Sequence, residues 1–88
     1  MLASHYAPGK PVRLAARDFA AEEFGIGFGA LAGDYNLSAA GDLTEAAAHL
    51  FDALHAGAAS AKPRIGVAAI PAEGLGAAIN DRLARAAV

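Results

Sequence analysis

Residues 65–70, Ile-Gly-Val-Ala-Ala-Ile, constrain this chain more than any other stretch, because they are apolar without alternation and lie between Pro63 and Pro71. A strand with one wet face alternates apolar and polar side chains, whereas a strand that is apolar throughout is buried on both faces, as in a parallel sheet. Pro71 lacks an amide and stops the run. Beyond Pro71-Ala72-Glu73-Gly74, the residues Leu75, Ala78, Ile79 and Leu83 recur at three- and four-residue steps, with Asn80, Asp81, Arg82 and Arg85 between them. That spacing predicts an amphipathic helix. A buried strand, a short turn and a helix make half of a β-α-β unit, which predicts a layered α/β domain.

A chain of 88 residues makes one domain, burying roughly 60–70% of the surface its unfolded form exposes. Alanine is far above ordinary usage, so the apolar fraction overstates the large side chains; the core leans on four Phe, two Tyr and the branched aliphatics. There is no Cys, which excludes disulfides, thiolate metal sites and a thiol nucleophile. With no signal sequence, this suits a cytoplasmic protein. No apolar run approaches membrane-spanning length. A formal charge of −2 argues against a whole-domain electrostatic grip on nucleic acid.

From its start, residues 1–11 include Pro8 and Pro11, which hold the backbone extended and deny it a helix. They read as a linker arm, and residues 12–88 as the domain. Residues 12–15 predict a first strand. Asp18 is placed to cap a helical turn through Ala20, Ala21 and Glu22. Residues 24–29 alternate large and small, the pattern of a strand with one crowded face. Gly27, Gly29 and Ala32 match Gly-x-Gly-x-x-Ala, but a dinucleotide site needs a helix directly afterwards and Gly33-Asp34 signals a turn instead. Close packing is the expected use of those glycines. Residues 35–38 predict a third short strand. Asp42 and Glu45 have the spacing of a capping box, and Leu43, Ala46, Ala47, Leu50, Phe51 and Leu54 form the apolar face of the helix that follows. Gly57 is its expected stop.

Few of these residues suggest chemistry. His49 and His55 lie about 120° apart around that helix, so with Asp52 they predict a solvated face and no shared metal. Ser4, Ser38 and Ser60 have no base beside them and read as turn or cap residues. The Glu73-Gly74-Leu75-Gly76 loop offers helix-start amides to an anion, but Glu73 opposes a phosphate there; a tight strand-to-helix turn is expected. His5 and Tyr6 on the arm present a ring for stacking and two groups that donate or accept hydrogen bonds. They suit a nucleotide, another domain, or simple packing on the domain edge.

At the arm, Leu2-Ala3-Ser4-His5-Tyr6-Ala7-Pro8 followed by Pro11-Val12-Arg13-Leu14 resembles the junction between the two domains of threonylcarbamoyl-AMP synthases. The resemblance extends through Asn36-Leu37-Ser38, the helix around Leu50-Phe51-Asp52-Ala53-Leu54, and Glu73-Gly74-Leu75-Gly76 with Ala78-Ile79-Asn80-Asp81-Arg82-Leu83. It implies the smaller C-terminal domain of that family, without its catalytic domain. Enzymes of this family are nucleotidyltransferases that combine L-threonine, bicarbonate and ATP into L-threonylcarbamoyladenylate, for the threonylcarbamoyl modification of adenosine 37 in tRNA. The substrate pocket belongs to the catalytic domain, so the resemblance implies no catalytic residue, no metal and no cofactor of its own here. His5 and Tyr6 are the positions onto which contact with ATP, or closure over the active site, carries over.

The expected fold is a small Rossmann-like layered α/β domain, about four mostly parallel strands with helices on both faces. The expected function is accessory: anchoring a linker that closes over the catalytic domain of the same enzyme, with no adenylation by this chain alone. The rival is an interaction module for tRNA or tRNA-modification proteins, for which Arg13, Arg17, Lys62, Arg64, Arg82 and Arg85 must converge on one face. A small-molecule binder, the third reading, needs a cavity along residues 25–33, which so small and alanine-rich a domain seldom holds.

Overall fold

The computed structural model describes residues 9–87. The chain runs β1 (Val12–Ala16), β2 (Glu23–Phe28), β3 (Leu31–Gly33), β4 (Tyr35–Asn36), α1 (Leu43–Ala59), β5 (Arg64–Ala68) and α2 (Leu75–Ala86). The apolar run at residues 65–70 supplies β5 as far as Ala68; the strand ends there, before Pro71, and Ala69 is exposed. β5 lies between β1 and β2 in a five-stranded sheet of order β1-β5-β2-β3, with β4 also on β2, and is parallel to both neighbours. The parallel β-α-β crossover runs from β2 through α1 to β5, whereas the strand and helix read together from the sequence, β5 and α2, are the last of the chain's described elements. β3 is antiparallel to β2 and β4 parallel to it, so the sheet is mostly parallel, as expected, with one short reversal.

Ile65 through Ala68 are all buried, but the two faces of β5 are covered by different means. Ile65 and Val67 point into one apolar cluster with Ile26 and Leu37, closed by Ala46, Leu50, Ala53 and Leu54 of α1 and by Ile79, Leu83 and Ala86 of α2. The two helices touch each other and share that single core. Each fully buried aliphatic side chain there contributes about 1.5–3 kcal/mol. Across the sheet, where the sequence predicts further helix, the cover is a loop. Gly25 and Gly66 stand opposite each other in register. A Cβ on Gly25 would lie 2.5 Å from the Phe19 ring, and one on Gly66 3.0 Å from it. Phe19 therefore lies flat on a floor made of backbone.

The segment that delivers Phe19 differs from its expectation. Residues 17–22 form no helix; the amide of Glu23 closes a turn on the Ala20 carbonyl at 3.0 Å, and the Glu23 carboxylate takes the Ala20 amide at 2.9 Å. Asp18 caps nothing; its backbone carbonyl accepts from Arg13 at 3.0 Å. The glycine-rich β2 behaves as expected: no helix follows it, the chain turns back into β3, and the carbonyls of Leu31 and Ala32 occupy the place of a Gly27 side chain.

Helix α1 begins where Asp42 accepts the Thr44 amide at 2.9 Å, a cap worth about 1 kcal/mol. Glu45 does not reach back to the Asp42 amide. Ser38 stands between them, its hydroxyl accepting that amide at 2.9 Å and donating to Glu45 at 2.6 Å. At the other end, Gly57 is not the stop. The helix continues to Ala59 with Ser60 as its cap, and Gly57 is buried inside it because a Cβ there would lie 2.9 Å from Ile65. Glycine here admits the helix to the sheet; it does not end it.

Two substitutions test this account in urea denaturation. Gly66→Ala is expected to lower stability by about 1–3 kcal/mol through overpacking, because its methyl meets both Phe19 and, at 3.1 Å, the Glu23 carboxylate. Ala15 has φ +56 at the irregularity in β1 between Arg13 and Ala16. Ala15→Gly is expected to raise stability by about 0.5 kcal/mol, since relief of left-handed strain exceeds the entropy that glycine gives the unfolded chain. Unchanged midpoints for both would contradict the packing described.

Candidate functional site

His5 and Tyr6 lie outside the described residues, so the site is built from where the arm joins the domain. Lys10 reaches the end of α1. Its Nζ donates to the carbonyls of Gly57 at 2.9 Å and Ser60 at 2.8 Å, and to the Ser60 hydroxyl at 3.4 Å. The last carbonyls of a helix carry the negative end of its dipole and have no partners within the helix, so a cation is well placed there. One residue on, the Pro11 carbonyl accepts the Ile65 amide at 3.0 Å. The junction is thus fixed both to α1 and to β5. No local pattern marks Lys10, whose partners are 47 and 50 residues away.

The same end of the sheet carries its principal ion pair. Arg13 of β1 and Glu23 of β2 are separated by β5, yet they meet across it. Arg13 Nε donates to Glu23 Oε2 at 2.8 Å and its Nη2 to Oε1 at 2.7 Å, a bidentate geometry that suits guanidinium and carboxylate. The bare Gly66 lies in register with Arg13 and passes beneath the Glu23 carboxylate. Glu23 is buried, while half of the Arg13 side chain remains in solvent. The Arg13 hydrogen bonds, followed by the Ala20 amide, hold the Glu23 carboxyl well below its ordinary value of 4.5, to about 2; the carboxylate in turn raises Arg13. Lys62 Nζ donates to the Glu23 carbonyl at 3.3 Å, and Arg64 pairs with Glu22 at 3.4 Å. An open depression of about 350 Å³ lies among Pro11, Arg13, Ala20, Glu23 and Arg64. It is at the amino ends of the parallel strands, whereas open α/β sheets bind ligands at the carboxyl ends.

Those carboxyl ends are occupied by the protein itself. Asn80 donates to the Ile70 carbonyl at 3.0 Å, and the Pro71 carbonyl fills the space of a Gly76 side chain. The Glu73-to-Gly76 loop is the tight turn expected: Gly74 has φ +55, and the Gly76 and Ala77 amides close on the carbonyls of Glu73 and Gly74. The histidines go separate ways, His49 to the Leu37 carbonyl at 3.3 Å and the edge of Tyr35, His55 against Phe51. Among the described residues, no three His, Asp or Glu side chains are grouped to hold a metal, and no helix is long and apolar enough to cross a membrane. An apolar groove of about 200 Å³ runs between the helices, lined by Leu50, Phe51, Leu54, Leu75, Ile79 and Arg82, with Phe51 and Leu75 about half exposed. Phe51, expected in the core face of α1, borders this groove instead.

The Glu23 carboxyl gives an expected acid dependence. Its folded value is depressed, so its contribution is complete above the ordinary value of 4.5 and is lost as pH falls from there through about 2. Glu23→Gln is expected to cost about 1–3 kcal/mol at neutral pH and to flatten stability across that acid window. Denaturation midpoints measured from pH 7 to pH 2 check this, and parallel acid limbs for the two proteins would exclude the pair as a stabilising element.

Compared with known proteins, no curated protein and no solved structure matches the chain. A family model described as the C-terminal domain of threonylcarbamoyl-AMP synthase matches residues 1–88, the whole sequence. With that match running from the His5-Tyr6 arm to the end of α2, the chain belongs to the threonylcarbamoyl-AMP synthase C-terminal domain family.

Proposed function

We propose that this domain is the anchor of a linker arm, residues 1–11, that closes over the active site of a threonylcarbamoyl-AMP synthase catalytic domain. The observation that carries the reading is the double attachment of the arm's last residues, Lys10 to the end of α1 and Pro11 to β5. An arm that must cover a reactive adenylate needs a fixed base, and a closing segment of this kind keeps water out while allowing product to leave. His5 and Tyr6 are the groups on the arm suited to meet ATP. Adenylation of threonine and bicarbonate belongs to the catalytic domain, with the cytoplasm as its place of work.

The rival reading, a tRNA-binding module, needs cations free to hold phosphates. Of the seven Lys and Arg residues, Lys10 and Lys62 hold backbone carbonyls and Arg13 holds the buried Glu23 carboxylate, so three are committed to the domain's own structure. That arrangement favours the anchor over the nucleic-acid interface.

The test uses a two-domain enzyme in which this chain follows a catalytic domain of the family. Tyr6→Ala is expected to lower kcat/KM for ATP by about tenfold, in keeping with about 1–3 kcal/mol for one base-stacking ring. Titration of the 88-residue chain with tRNA at several salt concentrations is expected to give no salt-dependent binding. Unchanged kinetics in Tyr6→Ala would count against the arm's role, and a steep salt slope would favour the rival.

A further inference from the structure

We infer that the groove between α1 and α2 is the surface on which the catalytic domain docks, and that it takes from that domain an apolar side chain with a carboxylate beside it. The inference rests on the reading that this domain works beside such a catalytic domain, and not on closure by the arm. The groove exists because of alanine. Ala47 on α1 and Ala78 on α2 are too short to fill the space between the helices, so about 200 Å³ stays open above Leu50, Leu54 and Ile79, which are buried in the core that both helices share. Among the described residues the exposed large hydrophobic side chains are Phe51 and Leu75, and both border this one groove. A single exposed leucine is ordinary, whereas apolar side chains gathered around a concave site mark a place of contact.

The charge at the groove's edge defines what a partner must offer. Arg82 is the charged residue of the lining; it is exposed and makes no ion pair among the described residues, while Asp81 beside it is taken by Arg85 at 3.0 Å. A guanidinium next to an apolar floor matches a surface that brings an aliphatic or aromatic side chain together with Asp or Glu. A second copy of this chain, docked groove to groove, sets the same positive charge into both halves of the contact. The point of attachment selects the catalytic domain. Lys10 is bonded to Gly57, about 4.5 Å along the helix axis from Leu54. A domain joined ahead of residue 1 is tied to Gly9 by eight residues, which span at most about 29 Å. Such a tether holds it at high effective concentration beside this groove, an advantage that a free partner lacks.

Amide hydrogen exchange tests this by comparing the 88-residue chain with a two-domain enzyme in which it follows a catalytic domain of the family. In the two-domain enzyme, exchange across residues 47–54 and 75–82 is expected to slow by about tenfold, because docking adds to the free energy of local opening there, while β2 exchanges alike in both proteins. Leu75→Asp should return both segments to their rates in the isolated chain. Leu75 is half exposed at the first position of α2, where an acid suits the helix dipole, so the urea midpoint of the isolated chain should hold. If that midpoint falls, the Arg82 variants decide: Arg82→Glu should undo most of the slowing and Arg82→Lys should keep it. Equal exchange in the two proteins, or slowing that both Leu75→Asp and Arg82→Glu leave intact, overturns the docking surface. Slowing in the isolated chain that grows with its own concentration also overturns it, and hands the groove to a second copy. If the groove is protected while Tyr6→Ala leaves the kinetics unchanged, docking stands and closure by the arm falls. If Tyr6→Ala impairs the enzyme and the groove exchanges alike in both proteins, closure stands and docking falls.

Discussion

The structure depends most on one carboxylate. Glu23 begins β2, yet its side chain crosses β5 to meet Arg13 of β1 and also holds the Ala20 amide. One buried group therefore ties together two strands that are not neighbours and closes the loop between them. That loop sets Phe19 on the backbone of Gly25 and Gly66. The order of dependence is clear from the contacts: without a side chain on Gly66 there is room for the carboxylate, with the carboxylate fixed there is a loop, and with the loop there is a cover. Burying a charge is costly unless it is paired and fully hydrogen-bonded. Here the pairing is bidentate, a backbone amide adds a further bond, and Arg13 keeps half its surface in water, which limits the desolvation on its side.

This cover explains how a domain with two helices among its described residues buries its central strand on both sides. Among the described residues both helices share one core, and an aromatic ring lying on glycine gives a thin cover for the other face. The helical side is economical in a similar way. Alanine at 46, 53 and 86 and glycine at 57 let α1 and α2 come close to the sheet and to each other, so that Ile26, Leu37, Ile65, Val67 and Leu83 are almost entirely excluded from solvent. Composition made the core look poor in large side chains. Close approach of the backbone compensates, because interior stability depends on tight packing as well as on side-chain size.

What the sequence revealed and what it concealed divide along one physical line. A buried strand within the run 65–70, found at Arg64–Ala68 with Ala69 exposed, the helix after it and the Asp42 cap were legible because each rests on local periodicity or on a side chain bonding its own backbone nearby. The turn at Gly33-Asp34 and the lack of a helix after Gly27 and Gly29 were legible for the same reason. Glu23, Phe19, Gly57 and Lys10 were not. A glutamate opening a strand reads as surface, and only a partner ten residues away on a non-adjacent strand makes it buried. Gly57 obeys the rule for a helix stop until Ile65, distant in sequence, supplies the reason for it inside the helix. The alternation in β2 showed that one face was crowded, but not that Phe19 would be what crowded it.

The place where residues 10 and 11 attach follows from the same architecture. In a parallel sheet the carboxyl ends of the strands are where ligands are usually held, and in this domain those ends are filled by Pro71, Asn80 and the turn into α2. The amino ends remain open, and they carry the ion pair, the depression beside it and the attachment of residues 10 and 11. Chemistry would require convergent groups left partly unsatisfied and available to a substrate. The polar groups at this end are instead spent on one another: Arg13 on Glu23, Arg64 on Glu22, Lys62 on a strand carbonyl and Lys10 on a helix end. Such mutual satisfaction fixes residues 10 and 11 to the end of α1 and to β5.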